Sequence, residues 1–328
     1  EMRCLKYMEN NIVIVLLQLK GINRKTILKS FELEENTECT LQNIKAQLLK
    51  ASLKDSRIRS YSDEEIKTAC EKANEIIELS NKREVKIVTF LDQEYPVRLK
   101  NITDPPAVLY YKGNIRCLNA SRVVAIIGTR KPTEYGLKIA KNLGESFGKR
   151  NYTVVSGLAI GCDQLGHEGC LEVNGKTAAV MACGLDTIYP AKNKGLAKRI
   201  LDQGGCLISE YPVGTKVFKN QLVERDRLQS GLSDGVIVVE TAEQGGTLHT
   251  VNYAIEYERI VGCYKHPDKY LSQKQSTGNQ MLIREKKAMA IGTNEELADF
   301  RKLMERKKNQ LQNGKEIIIQ ETIFDFME

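Results

Sequence analysis

Short apolar runs alternate with segments of helical periodicity from residue 122 to residue 292, and this alternation dominates the chain. Seven runs have the character of buried strands: RVVAIIG (122–128), YTVVSG (152–157), TAAVMA (177–182), GCLISE (205–210), GVIVVE (235–240), IVGCYK (260–265) and KAMAIG (287–292). Continuous apolar strands joined by crossover helices are typical of a parallel sheet that is covered on both faces. The pattern therefore predicts an α/β fold with a doubly wound, mostly parallel sheet.

The chain before this region has a different pattern, and we predict three parts. Residues 1–84 are helical in character, residues 85–295 form the α/β domain, and residues 296–328 form a C-terminal helical tail. In the first part, Asn10 or Asn11 is placed to cap a helix that Gly21 ends, and Ser62 with Glu65 forms a capping box. Two further strands are predicted at 85–90 and 107–113.

The tail carries a helical stripe of apolar residues at Leu297, Phe300, Leu303 and Met304. Such a stripe fits docking on the protein's own surface as well as binding of a partner. The sequence leaves both interpretations open.

Composition and charge limit which kinds of protein and ligand are compatible with this chain. The 328 residues are 41% hydrophobic, and 49 Lys and Arg against 42 Asp and Glu give a net charge of +7, which permits an anionic partner without requiring one. Nine cysteines without a C-x-x-C pair, and three scattered histidines, predict neither a metal site nor a disulfide framework. We expect a cytoplasmic protein with reduced thiols, no membrane span and no cofactor.

Small and polar residues follow nearly every predicted strand of the α/β domain. In a doubly wound sheet, ligands bind outside the carboxyl ends of the strands, and glycines there expose amide groups that favour phosphate. A tight turn explains any one of these glycines, but their number favours a phosphate-binding rim. The candidate residues are Gly128, Arg130, Ser156, Gly157, Gly161, Lys192, Arg225, Arg227, Gly245 and Gly246.

Asp163 and His167 lie four residues apart and share a helix face, directly behind the loop at Ser156. They could form an acid/base pair, but no nucleophile with a complete triad is visible. We therefore predict that both residues brace the loop and that the chain has no catalytic residue. Neither a dinucleotide fingerprint nor a Walker A sequence occurs.

Motifs in a fixed order resemble the DprA (Smf) family of DNA-processing proteins across residues 85–293. They are IIGTRKPTEYG, VVSGLAIGCDQLGHEGCLE, GLDTIYP, GGCLISEYPVGT and RDRLQSGLSDGVIVVE. The resemblance implies an extended Rossmann-like fold of the kind found in nucleotide-binding SLOG proteins, preceded by a small domain of helix-hairpin-helix character. It also implies single-stranded DNA binding, a homodimer, and transfer of the strand to the recombinase RecA in recombination and natural transformation.

Carried over by motif, the resemblance assigns phosphate contacts to Arg130, Ser156, Gly157, Gly161, Arg225 and Arg227, with Lys192 as a weaker candidate. The chain departs from the family pattern at Asp226, where the family usually has Asn between the two arginines. A carboxylate there should weaken phosphate binding. Gly245, Gly246 and Thr247 replace a Ser-Gly-Ser, and the tail lacks a winged-helix pattern.

The residues alone are compatible with three functions. The first is a non-catalytic protein that binds single-stranded DNA through its phosphates. The second is a sensor of a small nucleotide in a defence or signalling pathway. The third is a hydrolase of N-glycosidic bonds, which is disfavoured because His249 and Thr250 stand where that branch of the superfamily carries a glutamate.

Overall fold

A nine-stranded sheet organises the protein. The computed structural model describes residues 12–31 and 38–325, with side chains up to residue 310. The strands are β1 Lys86–Thr89, β2 Val108–Gly113, β3 Val123–Ile127, β4 Thr153–Ser156, β5 Thr177–Met181, β6 Cys206–Ser209, β7 Gly235–Val238, β8 Ile260–Tyr264 and β9 Met289–Ile291. Every predicted strand is present.

The strand order is β1-β2-β6-β5-β4-β3-β7-β8-β9. Strands β1, β2 and β6 pair antiparallel, and all other neighbours pair parallel. The order runs outward from β3 in both directions, which is the mark of a doubly wound sheet. The predicted fold class is confirmed, because strands β3, β4 and β5 are buried along their whole length, as a sheet covered on both faces requires.

Twelve helices occur in the described residues. Their bounds are α1 Ile12–Leu17, α2 Arg24–Ser30, α3 Leu41–Lys54, α4 Asp63–Lys82, α5 Glu134–Gly148, α6 Cys162–Glu172, α7 Lys194–Asp202, α8 Lys219–Gly231, α9 Thr247–Glu256, α10 Asp268–Leu271, α11 Lys274–Arg284 and α12 Asn294–Asp325. The capping box of Ser62 and Glu65 begins α4. Asn10 and Asn11, the predicted caps of α1, lie outside the described residues.

Helices α1 to α4 share a hydrophobic core with the sheet. Ile12, Ile44 and Ile66 are fully buried, and they belong to the same cluster as Val108 of β2 and Met181 of β5. The helical region thus packs against one face of the sheet at the antiparallel end. The exact bounds proposed for the three parts of the chain stay a prediction.

The first turns of α12 dock on the parallel part of the sheet. Leu297, Phe300 and Met304 are buried in one cluster with Ile126 of β3 and Ile237 of β7. Leu303, the fourth residue of the predicted stripe, remains 38% exposed. This part of the tail therefore covers the protein's own sheet. For these turns, the structure favours docking on the protein's own surface over binding of a partner.

Two negative findings apply to residues 12–31 and 38–325. None of the helices there combines the length and the apolar character that a membrane span needs, and no group of three metal-ligating side chains gathers among them. The eight cysteines in this part of the chain are free thiols, and seven of them are buried.

A buried ion pair fixes the segment between the helical region and the parallel strands. Arg98 donates to both carboxylate oxygens of Asp234, from Nε at 2.7 Å and from Nη2 at 2.8 Å. Asp234 also accepts the backbone amide of Val123, at the start of β3. The two side chains are only 8% and 9% exposed, so the loss of one partner leaves a buried charge unpaired.

We expect Asp234→Ala to lower the free energy of unfolding by about 3–5 kcal/mol, because it leaves the guanidinium of Arg98 buried without its carboxylate. Chemical denaturation monitored by circular dichroism measures this. The matched control is Asp202→Ala, which removes a carboxylate from the exposed pair with Lys198 and should cost less than about 1 kcal/mol. Equal losses in the two variants would contradict the structural role given to Asp234.

Candidate nucleic-acid interface

A pocket lies over the carboxyl ends of β3, β4 and β5, where helix α8 closes its side. Its lining comes from three loops and this helix: Arg130 after β3, Gly157, Ala159 and Ile160 after β4, Ala182, Tyr189 and Pro190 after β5, and Leu222 and Arg225 on α8. The position agrees with the rule for doubly wound sheets, because successive parallel strands present their loops at one edge.

The loop from β4 to α6 forms one wall, and it is held in an unusual backbone conformation. Leu158 has φ of 58° although it carries a side chain, a conformation that L-residues rarely adopt and that costs free energy. Two contacts compensate: the Leu158 side chain is fully buried, and its carbonyl accepts a hydrogen bond from Asn193 Nδ2 at 2.8 Å. Burial of the Leu158 side chain and the hydrogen bond to its carbonyl therefore hold the loop in place.

Gly161 allows this loop to lie directly against the loop after β3. Its φ is 89°, and a Cβ atom at this position would lie 2.6 Å from the carbonyl oxygen of Thr129 and 2.9 Å from that of Arg130. Only glycine permits both the conformation and the contact. The close approach is stabilised by the Cys162 amide, which donates to Thr129 O at 3.2 Å. Gly161 thereby places Arg130 beside the start of α6.

Arg225 forms the floor of the pocket and is held by the main chain. Its Nη1 donates to the carbonyl of Gly157 at 2.8 Å and to the carbonyl of Val180. Its Nε donates to Asp226 at 3.2 Å. Nη2 donates to no atom in the described part of the chain, so one arm of the guanidinium remains for a ligand in the pocket.

Two carboxylates surround Arg225. Asp163 accepts the Gly157 amide at 3.1 Å; its burial raises its pKa to about 6, with Arg225 acting against the shift and Asp226 adding to it. Burial likewise raises the pKa of Asp226, although Arg225 opposes this. Asp163 thus fixes the turn at Gly157, and both acids are counter-charges for the buried guanidinium.

Further donors lie at the mouth of the pocket. Arg130 is exposed and lines the pocket, and within residues 12–31 and 38–325 it has no acidic partner. Lys192 is also exposed but lies outside the lining. The amides of Ile160 and Gly161 donate to no acceptor in the same ranges. Cationic side chains beside free amides at a helix start are a suitable arrangement for a phosphate.

Ser156 and Gly157 do not offer the donors that the motif suggested. The Ser156 side chain is fully buried, and its hydroxyl donates to the carbonyl of Ile126 at 2.6 Å. The Gly157 amide is already used by Asp163. Ser156 therefore ties β4 to β3, and Gly157 serves the pocket as the position against which Arg225 packs.

His167 lies away from the loop that it was predicted to brace. Its Nδ1 is 2.6 Å from the hydroxyl of Thr177, at the amino end of β5. That hydroxyl donates its hydrogen to Val154 O, so Nδ1 of His167 must carry the proton of this bond. Burial, with help from Arg225, lowers the pKa of His167 to about 3. A fully buried neutral imidazole cannot act as an acid on a ligand.

Arg227 points away from the pocket. It is 2% exposed, donates to Glu210, and lies 3.7 Å from Asp104. Arg24 of α2 pairs with the same two carboxylates. Arg227 therefore joins α8 to the helical region, and the expected phosphate contact at this residue is not supported by its position.

The end of β7 forms a separate cluster. Glu240 accepts from the amide of Thr133 at 2.8 Å, from its hydroxyl at 2.5 Å and from His266 Nε2 at 3.1 Å. His266, one of the three scattered histidines, is thus paired with a buried glutamate. This carboxylate lies at the start of α5, where the helix dipole favours negative charge.

The three remaining glycines of the predicted rim also lie outside the pocket lining. Gly128 packs against Cys162, whose Sγ would be 2.6 Å from a Cβ at residue 128. A Cβ at Gly245 would meet the Thr241 hydroxyl at 2.5 Å, whereas Gly246 is exposed and has nothing within 4 Å of that position. The pocket is therefore formed by three strand ends and α8, fewer than the sequence suggested.

Several residues of the site were missed from the sequence. Tyr189, Leu222 and Ile160 contribute apolar lining, and Asn193 supports Leu158. The opposite directions of Arg225 and Arg227 could have been predicted, because side chains two positions apart on an α-helix point about 200° away from each other. The partner of Asn193 could not, since it depends on a contact between distant segments.

The protein is of the doubly wound class, with a pocket at its strand ends that Arg130 and Arg225 line. The family model for DNA recombination-mediator protein A matches residues 86–302, and the chain belongs to this family. The DNA processing protein DprA of Bacillus subtilis is 39% identical over 177 residues, which are 54% of this chain and 59% of that protein. Protein Smf of Synechocystis is 38% identical over 57% of this chain and 48% of its own length. The chain spans about half the length of these curated relatives.

Two solved structures are similar in fold. The X-ray structure of DNA processing protein A from Streptococcus pneumoniae superposes with a TM-score of 0.72 at 28% identity, covering 90% of this chain and 98% of that one. DNA processing protein A from Helicobacter pylori, a protein with a single-stranded DNA binding mode, gives a TM-score of 0.60 at 27% identity. The superposition covers 68% of this chain and 97% of the Helicobacter pylori chain.

We expect Gly157→Ala to destabilise the protein by about 1–3 kcal/mol, because the new methyl group would lie 2.5 Å from Arg225 Nη1 and the guanidinium is held on both sides. The midpoint and slope of urea unfolding measure the effect. Gly246→Ala is the matched control, since its Cβ meets nothing within 4 Å, and it should leave stability unchanged or slightly raised. A Gly157→Ala protein as stable as the control would show that Arg225 is not fixed.

Proposed function

We propose that this chain binds single-stranded DNA through the pocket over β3, β4 and β5, as a recombination mediator of the DprA type. The observation that carries the proposal is the convergence of Arg130, one free arm of Arg225 and Ile160 on a single pocket, with the unbonded amides of Ile160 and Gly161 beside them. These groups are donors only, and phosphodiester oxygens are acceptors. The relationship to the Helicobacter pylori protein supports the same ligand.

The donors contact the sugar-phosphate backbone, so binding depends little on base sequence and strongly on salt. Arg130 lies at the exposed mouth and makes the first contact with an incoming phosphate. Arg225 is held rigidly below it and meets the phosphate with a guanidinium that is already oriented. A fixed donor loses little conformational entropy when the strand binds.

The proposal includes a non-catalytic role, a homodimer and transfer of the bound strand to a recombinase of the RecA class in the cytoplasm. Membership in a family of recombination mediators supports the role in recombination. The burial of His167, the candidate acid, supports a pocket that binds without cleaving. Size-exclusion chromatography with light scattering tests the dimer, and a strand-exchange assay with added RecA tests the transfer.

We expect Arg130→Ala to weaken binding of a fluorescently labelled oligo-dT at least tenfold at low salt, because a charge-assisted hydrogen bond is worth about 1.5–3 kcal/mol. The slope of log Kd against log salt concentration should become shallower by about 0.7. Fluorescence anisotropy measures both quantities. Arg225→Lys should also weaken binding, since lysine keeps the charge but loses the forked geometry.

Arg116→Ala is the control for net charge. Arg116 is an exposed arginine whose side chain pairs with Glu94, and its neighbour Asn114 contacts Gly205 at the amino end of β6, the opposite edge of the sheet. This variant should bind as the unmodified protein does. Equal weakening in Arg116→Ala and Arg130→Ala would mean that overall charge, and not the pocket, binds the strand.

A further inference from the structure

The pocket floor contains one guanidinium between two buried carboxylates. Arg225 is 6% exposed, Asp163 is also 6% exposed, and the Asp226 side chain is 14% exposed. Asp226 lies next to Arg225 in α8 and bonds its Nε, while Asp163 reaches the same region from the start of α6. The three groups therefore form a compact charged cluster directly beneath the ligand position.

This cluster carries the wrong sign for an anionic ligand. With both acids ionised, two negative charges face one positive charge, and the floor has a net charge of −1. A phosphate that contacts Arg225 adds a further negative charge in a region that water reaches poorly. Like charges held at short distance in a protein interior are costly, and protonation of one acid is the usual response.

We propose that the Asp163–Asp226 pair takes up a proton when a strand phosphate binds over Arg225, so that the affinity for single-stranded DNA rises as the pH falls. This inference rests on the proposed function, because it names the electrostatic regulation of the same pocket. Asp226 is then the residue that sets the pH dependence, while Arg130 and Arg225 supply the contacts.

The hydrogen bonds of both acids come from donors, but the two bonds to Asp226 both end on its Oδ1, which leaves Oδ2 to hold the proton. Asp163 accepts the amide of Gly157, a group that only donates, and this bond favours its ionised form. Asp226 accepts from Arg225 Nε and from Gln229 Nε2 at 2.8 Å. Burial raises the pKa of Asp163 to about 6, and the charge of Asp226 contributes to that rise. Coupled acids of this kind titrate as a pair.

Other charged or titratable groups lie near the cluster on the surrounding elements. From α6, His167 has its pKa lowered to about 3 and stays neutral. From the end of β5, Cys183 has its pKa raised to about 11 by burial and stays a thiol. From the loop after β3, Arg130 contributes a cationic side chain at the mouth of the pocket. From α9, His249 acts electrostatically on Asp226, so a His249 variant serves as a separate control.

The sign of the effect follows from the linkage between binding and protonation. Below the pKa of the free pair the proton is already held, and affinity is at its maximum. Above this value the free protein must take up the proton on binding, because the phosphate raises the pKa of the pair further. Affinity then falls as the pH rises, by at most tenfold per pH unit for one proton.

The test is an anisotropy titration of labelled oligo-dT from pH 5.5 to 8.5 at fixed ionic strength, since phosphodiester groups and thymine keep their charge in this range. The unmodified protein should lose affinity as the pH rises. Asp226→Asn, which removes one acid and nearly keeps the shape, should bind about tenfold tighter at pH 8 and show a nearly flat profile. His249→Gln should keep the slope of the unmodified protein.

A flat profile for the unmodified protein would overturn the inference, as would an Asp226→Asn profile parallel to it or a slope abolished by His249→Gln. Calorimetry of the unmodified protein in two buffers of different ionisation enthalpy provides a second measurement that needs no variant. Proton uptake on binding near pH 7 is expected, and the absence of uptake contradicts the proposal.

The two proposals fail in different ways. If oligo-dT binds and Arg130→Ala weakens it while the pH profile is flat, only the proton linkage is wrong. If oligo-dT does not bind at any pH at low salt, the proposed function itself is wrong. Thermal unfolding of each variant at both ends of the pH range verifies that a lost signal does not come from an unfolded protein.

Discussion

The pocket depends on the contact between the Arg225 guanidinium and the carbonyl of Gly157. This bond, together with the bond to Val180, connects α8 to the loop after β4 and to β5. It exists because residue 157 has no side chain, since a Cβ there would meet three guanidinium atoms within 2.8 Å. The arginine is therefore a structural support and a ligand donor at the same time, with different nitrogen atoms serving the two roles.

The acids around Arg225 follow from the same constraint. A guanidinium held by main-chain carbonyls in a buried position needs a counter-charge, because carbonyl dipoles alone do not replace the lost water. Asp163 and Asp226 supply it from two different helices. Their presence limits how strongly the pocket attracts an anion, so structural stability and ligand affinity act against each other at this point.

Local pattern was sufficient to predict the sheet. Strands such as β3 and β5 are apolar at every position, and a parallel sheet buried on both faces has that composition. The sequence pattern is less informative for helix α11, which spans Lys274–Arg284. Its buried residues include Ser276, Gly278 and Asn279, so the buried face is small and polar and leaves no apolar period to read.

The site was only partly predictable, for a physical reason. Glycines and arginines at strand ends indicated the correct edge of the sheet, and both Arg130 and Arg225 line the pocket. The directions of side chains depend on partners far along the chain: Thr177 for His167, Glu210 and Asp104 for Arg227, and Ile126 for Ser156. Short motifs and helix spacing contain no information about such partners, so neither could predict which contacts these side chains make.

Helix α8 has a further consequence through its two arginines. Arg225 grips the strand loops on one side, and Arg227 is locked on the other side to the carboxylates that also hold Arg24 of the helical region. Helix α8 therefore links the loops at the strand ends to the N-terminal helical region. A tilt of the N-terminal helices would move α8 and with it the floor of the pocket, although α2 and α8 lie far apart in sequence.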